Sequence, residues 1–268
     1  MTRPAPMPSG PLATGPTKPG PIELFLHDRT ADRGGCLAVV CDPDRSTPQE
    51  IARAAAAATT AGADLILIGS SLMLGDGFVP AVRAAKEGGD LPVVLFPGGA
   101  DQVCGEADAM LFLCLVSGRN PEYLIGQQVT AAPRIHALGL ETVPTAYLLV
   151  ESGPITSAQY MSMTPPLPRS KPDLAVAHAL AARYLGMRCV YLDSGSGAEL
   201  AVPVEMVEAV AGATGLPLFV GGGIRDADAV RERVVAGAAV VVVGSALEGA
   251  WESGLLTELA EAAHTAES

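Results

Sequence analysis

The chain has 268 residues, a formal net charge of −12, and 49% hydrophobic against 4% aromatic residues. Such a length holds one large barrel or two small domains, and its wealth of Ala, Val, Gly and Leu suits buried parallel strands alternating with helices. The acidic balance argues against nucleic acid or an anionic membrane as the main partner, and leaves room for a local phosphate site.

Residues 1–21 carry prolines at 4, 6, 8, 11, 16, 19 and 21 and read as a disordered leader that cannot form a core. No charged start is followed by an apolar core, and no apolar run reaches membrane-spanning length, so a cytoplasmic protein is expected. The five cysteines form no CxxC pair and read as small buried hydrophobes in a reducing compartment. Residues 22–27 read as a short strand or helical turn. CLAVVC (Cys36–Cys41) is the first convincing buried strand and ends at Asp42-Pro43-Asp44-Arg45. Thr47-Pro48-Gln49-Glu50 is a capping box that opens an Ala-rich helix ending near Gly62. DLILI (64–68) is the second strand and stops at Gly69-Ser70-Ser71. The stretch 72–90 starts Gly-rich and has a weak helical pattern, so that unit is expected to be irregular. LPVVLF (91–96) runs into Pro97-Gly98-Gly99, and 109–113 is a fourth strand followed by Ser117-Gly118-Arg119-Asn120-Pro121 and a helical segment towards Ala132. A fifth strand spans 145–150. The connection 155–168 is long enough to be functional or mobile, and a helix runs from 171 to about 185.

Three more apolar runs, 190–192, 216–220 and 239–243, each end in glycines and small hydroxyl residues, and a final helix is expected over 246–263. Eight strands with helices between most of them, and no break in composition after residue 21, predict a single (β/α)8 TIM barrel over 22–268. Function then collects at the C-terminal rim, and the loops after the last strands form the usual phosphate cradle. Asp42 ends the first strand, where an acid can hold Mg²⁺ while substrate phosphates supply other oxygens; it can equally stabilise the DPDR turn. Ser71 ends the neighbouring strand and is either a further oxygen donor or a helix cap. Asp193 sits between the sixth strand and a Gly/Ser loop. A carboxylate beside bound phosphate is repelled by it, so a base acting on a substrate hydroxyl is preferred over loop support. The four histidines show no metal-ligand spacing, and Gly221–Gly223 does not fit GxGxxG. The three lysines, Lys18, Lys86 and Lys171, lie off the expected strands, which disfavours a Schiff-base aldolase.

The ordered set DPDR, IGSS, FPGG, SGRNPEYLIG, KPDLAVAHALAARYLGM, YLDSGSGA, VGGGIR and VGSALE covers nearly everything from Cys36 to about Ala260. It resembles the geranylgeranylglyceryl phosphate synthase family, which includes the PcrB-type heptaprenylglyceryl phosphate synthases. The resemblance implies a modified barrel whose third helix is replaced by an irregular segment. It implies a Mg²⁺-dependent prenyltransferase that joins a prenyl diphosphate, here geranylgeranyl diphosphate, to the 3-hydroxyl of sn-glycerol 1-phosphate and releases diphosphate. Carried over by position, Asp42 and Ser71 match the metal ligands. Tyr191, Leu192, Asp193, Ser194, Gly195, Ser196 and Gly197, with Gly222, Gly223, Gly244 and Ser245, match the glycerol-phosphate site, Asp193 and Tyr191 being the catalytic candidates. The family's pattern departs here in five places: Asp193 stands for Glu, Val40 for a Lys found in some members, FPGG for FPGS, Gly69-Ser70-Ser71 for GGS, and His178 for Tyr. The resemblance also implies a homo-oligomer with at most transient membrane contact for product release. Two alternatives stay open: the same scaffold prenylating another phospho-acceptor, such as a phosphoglycerate, and a non-catalytic prenyl- or phosphate-binding protein.

Overall fold

The computed structural model describes residues 18–244, 251 and 254–265. In chain order these form α1 (Pro21–Arg33), β1 (Cys36–Cys41), α2 (Pro48–Ala61), β2 (Leu65–Ile68), α3 (Phe78–Gly88), β3 (Val93–Leu95) and β4 (Ala109–Cys114). A π-helical turn (Glu122–Gly126) leads into α4 (Gln127–Leu138), β5 (Glu141–Leu149), α5 (Ser157–Ser162), α6 (Pro172–Tyr184) and β6 (Cys189–Asp193). The remainder is α7 (Val204–Thr214), β7 (Leu218–Gly221), α8 (Ala227–Val235), β8 (Val240–Val243) and α9 (Leu255–Ala263). The strands pair in parallel in chain order, and β8 returns to β1 with Cys36 opposite Val240, which closes the barrel. Among the described residues no helix is long and apolar enough to cross a membrane.

The period-two alternation of a strand sorts the apolar residues into two layers. Leu37, Val39 and Cys41 of β1 face the surrounding helices, whereas Cys36 and Ala38 face the barrel interior together with Leu65, Leu67, Leu111 and Phe219. Both faces are apolar, so the strands read as continuous hydrophobic runs. The buried thiols behave as apolar groups: burial pushes Cys36, Cys41 and Cys189 up to about 12.

The N-terminal end of the barrel is stoppered by α1, which replaces the expected short strand or turn. Ile22 and Leu26 pack into the interior layer. The carboxylate of Glu141, at the start of β5, accepts the N–H groups of Ile22 and Glu23 at 3.0–3.1 Å. A distant carboxylate thus caps a helix that lacks a side-chain cap of its own. Asp64 fastens the other end: it accepts the Leu37 N–H at 2.9 Å and meets Arg33 at 3.2 Å and His264 at 3.0 Å, tying α1, β1 and the residue after α9 together.

The capping box forms as expected, with Thr47 and Glu50 each accepting the other's N–H. The irregular unit lies elsewhere than expected. Within 72–90 only the first residues are irregular, and α3 buries Phe78, Ala81, Val82 and Ala85 at helical spacing. Gly75, Gly77, Gly88 and Gly89 bracket this helix and Pro80 stands in its first turn, so helix-breaking residues mask its periodicity in sequence. The helix missing from the barrel is the third, between β3 and β4: residues 96–108, all described, form turns and no helix. The 155–168 connection contains the short α5, opened by a second capping box of Thr156 and Gln159. Residues 1–17 of the leader, and 246–250 and 252–253 of the expected last helix, lie outside the described residues.

Where the third helix is missing, one side chain takes over backbone pairing. Gln102 is 2% exposed. Its Oε1 accepts the N–H groups of Ser70 at 3.0 Å and Gly98 at 3.2 Å, and its Nε2 donates to the Ser70 carbonyl at 2.7 Å. The turns after β2 and β3 are therefore joined through one amide. Replacing Gln102 by Ala leaves three backbone groups unpaired and is expected to cost about 2–3 kcal/mol of stability, read as a lowered midpoint in urea unfolding.

Candidate active site

Each strand's C-terminal turn contributes to one cavity at the barrel mouth. Asp42 follows β1; Gly69, Ser70 and Ser71 follow β2; Pro97, Gly98 and Gly99 follow β3. Across the rim stand Asp193, Gly195 and Ser196, then Gly222 and Gly223 after β7, and Gly244 after β8 brings the ring back beside Asp42. On the side of β4, α4 and α5 the lining is largely apolar, with Met110, Phe112, Leu113, Leu115, Ala131 and Met161 beside Tyr123, Gln127 and Gln128. It therefore has a polar mouth and an apolar arm.

Most of the residues expected from sequence meet here, and some do not. Asp42, Ser71, Tyr191, Asp193, Gly195, Ser196, Gly222, Gly223 and Gly244 line the cavity. Leu192 belongs to the layer between barrel and helices, because its neighbours Tyr191 and Asp193 take the inward parity. Ser194 is buried off the cavity, and Gly197 follows the lining residues without joining them. Ser245 lies outside the described residues. Met161 lines the apolar arm, whereas Met163 is 78% exposed outside it. His178 sits on a face of α6, bonded through Nδ1 to the Leu174 carbonyl at 2.7 Å.

The turns after β6 and β7 touch backbone to backbone. Gly222 has φ +83°, and a Cβ there would lie 2.7 Å from the Gly195 N and O atoms. Gly223 has φ +71°, and a Cβ there would lie 2.7 Å from the Ala201 N atom. Positive φ and the missing side chain are both required. The result is a shallow wall of main chain at the mouth, suited to an anion's oxygens.

Asp193 is 6% exposed. Its Oδ1 accepts the Gly195 N–H at 2.7 Å, and its Oδ2 accepts a hydrogen bond from the Tyr147 hydroxyl. Burial raises its pKa above the usual carboxylate value, and the bonds from Tyr147 and Gly195 pull it partly back. The Tyr147 phenol is itself pushed well up by burial and by the neighbouring Asp193 charge. Beneath this pair lies an aromatic floor. Tyr191 stacks on Phe96 with ring centres 4.9 Å apart and meets Tyr147 edge-on at 5.5 Å. Tyr191 is thus chiefly a packing element of the floor. Tyr147 was not evident as a site residue from sequence. The signal that would have found it is register: Tyr147 stands opposite Tyr191 on β6 and shares its inward parity.

At the other side of the mouth Asp42 serves two purposes. Its Oδ1 accepts the Asp44 N–H at 2.9 Å and its Oδ2 lies 3.6 Å from Arg45, which shapes the turn. Its carboxylate also borders the cavity near Ser71. Asp44 points the other way and pins the Leu74 N–H at 2.8 Å. Among the described residues no group of three or more His, Cys, Asp or Glu could hold a metal ion alone. One carboxylate and one hydroxyl on a wall facing an anion site suit a hard divalent cation that takes its other oxygens from phosphate and water. Among the described lining residues, Asp42 and Asp193 are the only charged side chains.

Comparison with known proteins accords with this geometry. The sequence model of the PcrB family matches residues 33–263. A geranylgeranylglyceryl phosphate synthase of Chitinophaga pinensis is 44% identical over 239 residues, which is 89% of this chain and 94% of the relative. One from Korarchaeum cryptofilum is 45% identical over 227 residues, 85% of this chain and 93% of the relative. The crystal structure of (S)-3-O-geranylgeranylglyceryl phosphate synthase from Thermoplasma acidophilum, in complex with its substrate sn-glycerol-1-phosphate, superposes with a TM-score of 0.85 at 33% identity, covering 92% of this chain and 99% of that one. With a matching family model over most of its length and relatives of this identity, the chain belongs to the PcrB family and is a prenyltransferase.

Proposed function

We propose that the protein transfers a prenyl group from an allylic prenyl diphosphate, geranylgeranyl diphosphate by analogy with its relatives, to the 3-hydroxyl of sn-glycerol 1-phosphate. The observation that carries this reading is one cavity with an apolar arm and a polar mouth that has two walls. One wall holds Asp42 and Ser71, the other Asp193 and the glycine turns. The apolar arm suits a prenyl chain, and the Gly/Ser wall suits the acceptor's phosphate. Both charged lining side chains are acids, which disfavours an acceptor that carries a carboxylate beside its phosphate, such as a phosphoglycerate.

In this reading Asp42 and Ser71 hold Mg²⁺, which when bound would neutralise charge developing on the departing diphosphate. The chain's own groups do the rest. The wall of Ser196, Gly222, Gly223 and Gly244 fixes the acceptor so that its free hydroxyl faces the allylic carbon. The allylic C–O bond breaks with its electron pair leaving on diphosphate, and the acceptor oxygen forms the new ether bond. Asp193 receives the proton released from that oxygen. Tyr147 and the Gly195 N–H hold the Asp193 carboxylate in one orientation, and its burial makes it a stronger base than a surface aspartate.

With Mg²⁺, glycerol 1-phosphate and geranylgeranyl diphosphate, mass spectrometry should find the ether product and one diphosphate per turnover. Absence of turnover with any allylic diphosphate and any small phospho-acceptor would remove the reading in favour of a binding protein. Asp193→Asn is expected to lower kcat about 10²- to 10⁴-fold. The activity of the wild type should fall towards acid as Asp193 takes up its proton. Because the Tyr147 bond lowers that pKa, Tyr147→Phe should move the acid limb of the kcat profile to higher pH; a limb that stays in place would mean another group titrates. Chelation of divalent cations should abolish turnover, and Asp42→Asn should raise the Mg²⁺ concentration needed for half-maximal rate.

A further inference from the structure

The acceptor wall has no cationic side chain of its own among the described lining residues, yet guanidinium groups stand immediately behind it. The stretch 198–202, which continues the Gly/Ser turn after β6, has no helix or strand to satisfy its carbonyls. Arginines satisfy them instead. Arg225 donates through Nη2 to the Ala198 carbonyl at 2.7 Å and through Nη1 to the Glu199 carbonyl at 3.2 Å. Its Nη1 also reaches the Gly223 carbonyl at 3.5 Å. Arg169 donates to the Ala201 carbonyl at 2.8 Å, and Arg233 to the Val202 carbonyl at 3.2 Å through Nη2. Three arginines from three different parts of the chain thus hold one short segment by its carbonyl side.

We propose that Arg225 is a positioning residue for acceptor binding, spanning the turns after β6 and β7 and holding their main chain in the conformation that receives the acceptor's phosphate. It is the one of the three that bonds both turns. Gly223, which lines the cavity, rests on the clamped segment, its Cα direction aimed at the Leu200 and Ala201 backbone. The planar fork of a guanidinium reaches several carbonyls at once, which an ammonium cannot do. Its charge also adds positive potential behind a wall whose lining side chains carry only negative charge. Arg225 is exposed and acts through main chain, so its removal disturbs the wall more than the core.

This inference rests on the acceptor assignment proposed above. Its test is calorimetric binding of glycerol 1-phosphate alone, together with steady-state kinetics in both substrates, for the wild type, Arg225→Met, Arg225→Lys and Arg231→Met. Arg231 is an exposed arginine of α8 paired with Asp228 and controls for the loss of one positive charge. Arg225→Met is expected to weaken glycerol 1-phosphate binding and raise its KM about 10- to 100-fold, while the KM for the prenyl diphosphate and the unfolding temperature stay near wild type. Arg225→Lys should recover only part of the loss, and Arg231→Met should change neither constant. Unchanged acceptor binding in Arg225→Met, an equal rise in both KM values, or the same loss in Arg231→Met would each overturn the proposal. A wild type that binds glycerol 1-phosphate without turning over would defeat the proposed activity alone, and the ratio of binding constants would still decide the role of Arg225.

Discussion

Pairing of β1 with β8 is the constraint on which the rest depends. It brings the two ends of a long chain into one closed sheet, with Val39 opposite Val243. Asp42 and Gly244, near opposite ends of the chain, leave adjacent strands as a consequence. Gly244 lies against Val40, whose Cγ1 would be 2.4 Å from any Cβ placed there. The turns after β6, β7, β8, β1 and β2 then run side by side around the rim. Turns from both ends of the chain border one cavity only because the sheet is closed.

The same closure explains the electrostatics of the mouth. Side chains pointing inward at the rim are excluded from water by their neighbours across the barrel, so Asp193 is nearly buried although it ends a strand. Burial penalises its charge, and two hydrogen bonds restore part of the loss. Among the described lining residues none is cationic, and guanidinium groups stand behind main chain, where the arginines bind carbonyls. At this part of the mouth the described lining is main chain of glycine turns and not cationic side chains.

Much of this was legible in the sequence where local physics decides local structure. The Thr47-Pro48-Gln49-Glu50 box states a helix start because its side chains satisfy orphan N–H groups three residues away. CLAVVC states a buried parallel strand because both faces of such a strand are covered. The order of strands with glycine-ended turns states the barrel and its functional rim. The helix Phe78–Gly88 is masked in sequence by the glycines on either side of it and by Pro80 in its first turn. The family resemblance implies the missing third helix, but local pattern does not place it between β3 and β4, because Gln102 makes two of its bonds to Ser70, 32 positions away.

By itself, then, the sequence determined the eight strands, their order and the residue classes at each strand end, since these follow from periodicity, capping and turn chemistry within a few residues, while α1 and α3 were set by packing against the barrel. Only the tertiary structure decided which of the expected site residues meet. It set Tyr147 against Asp193, turned Leu192 away by strand parity, and placed Arg225 behind the turn after β6. Those outcomes depend on register between strands and on contacts across the rim, and such contacts join residues that no local pattern connects.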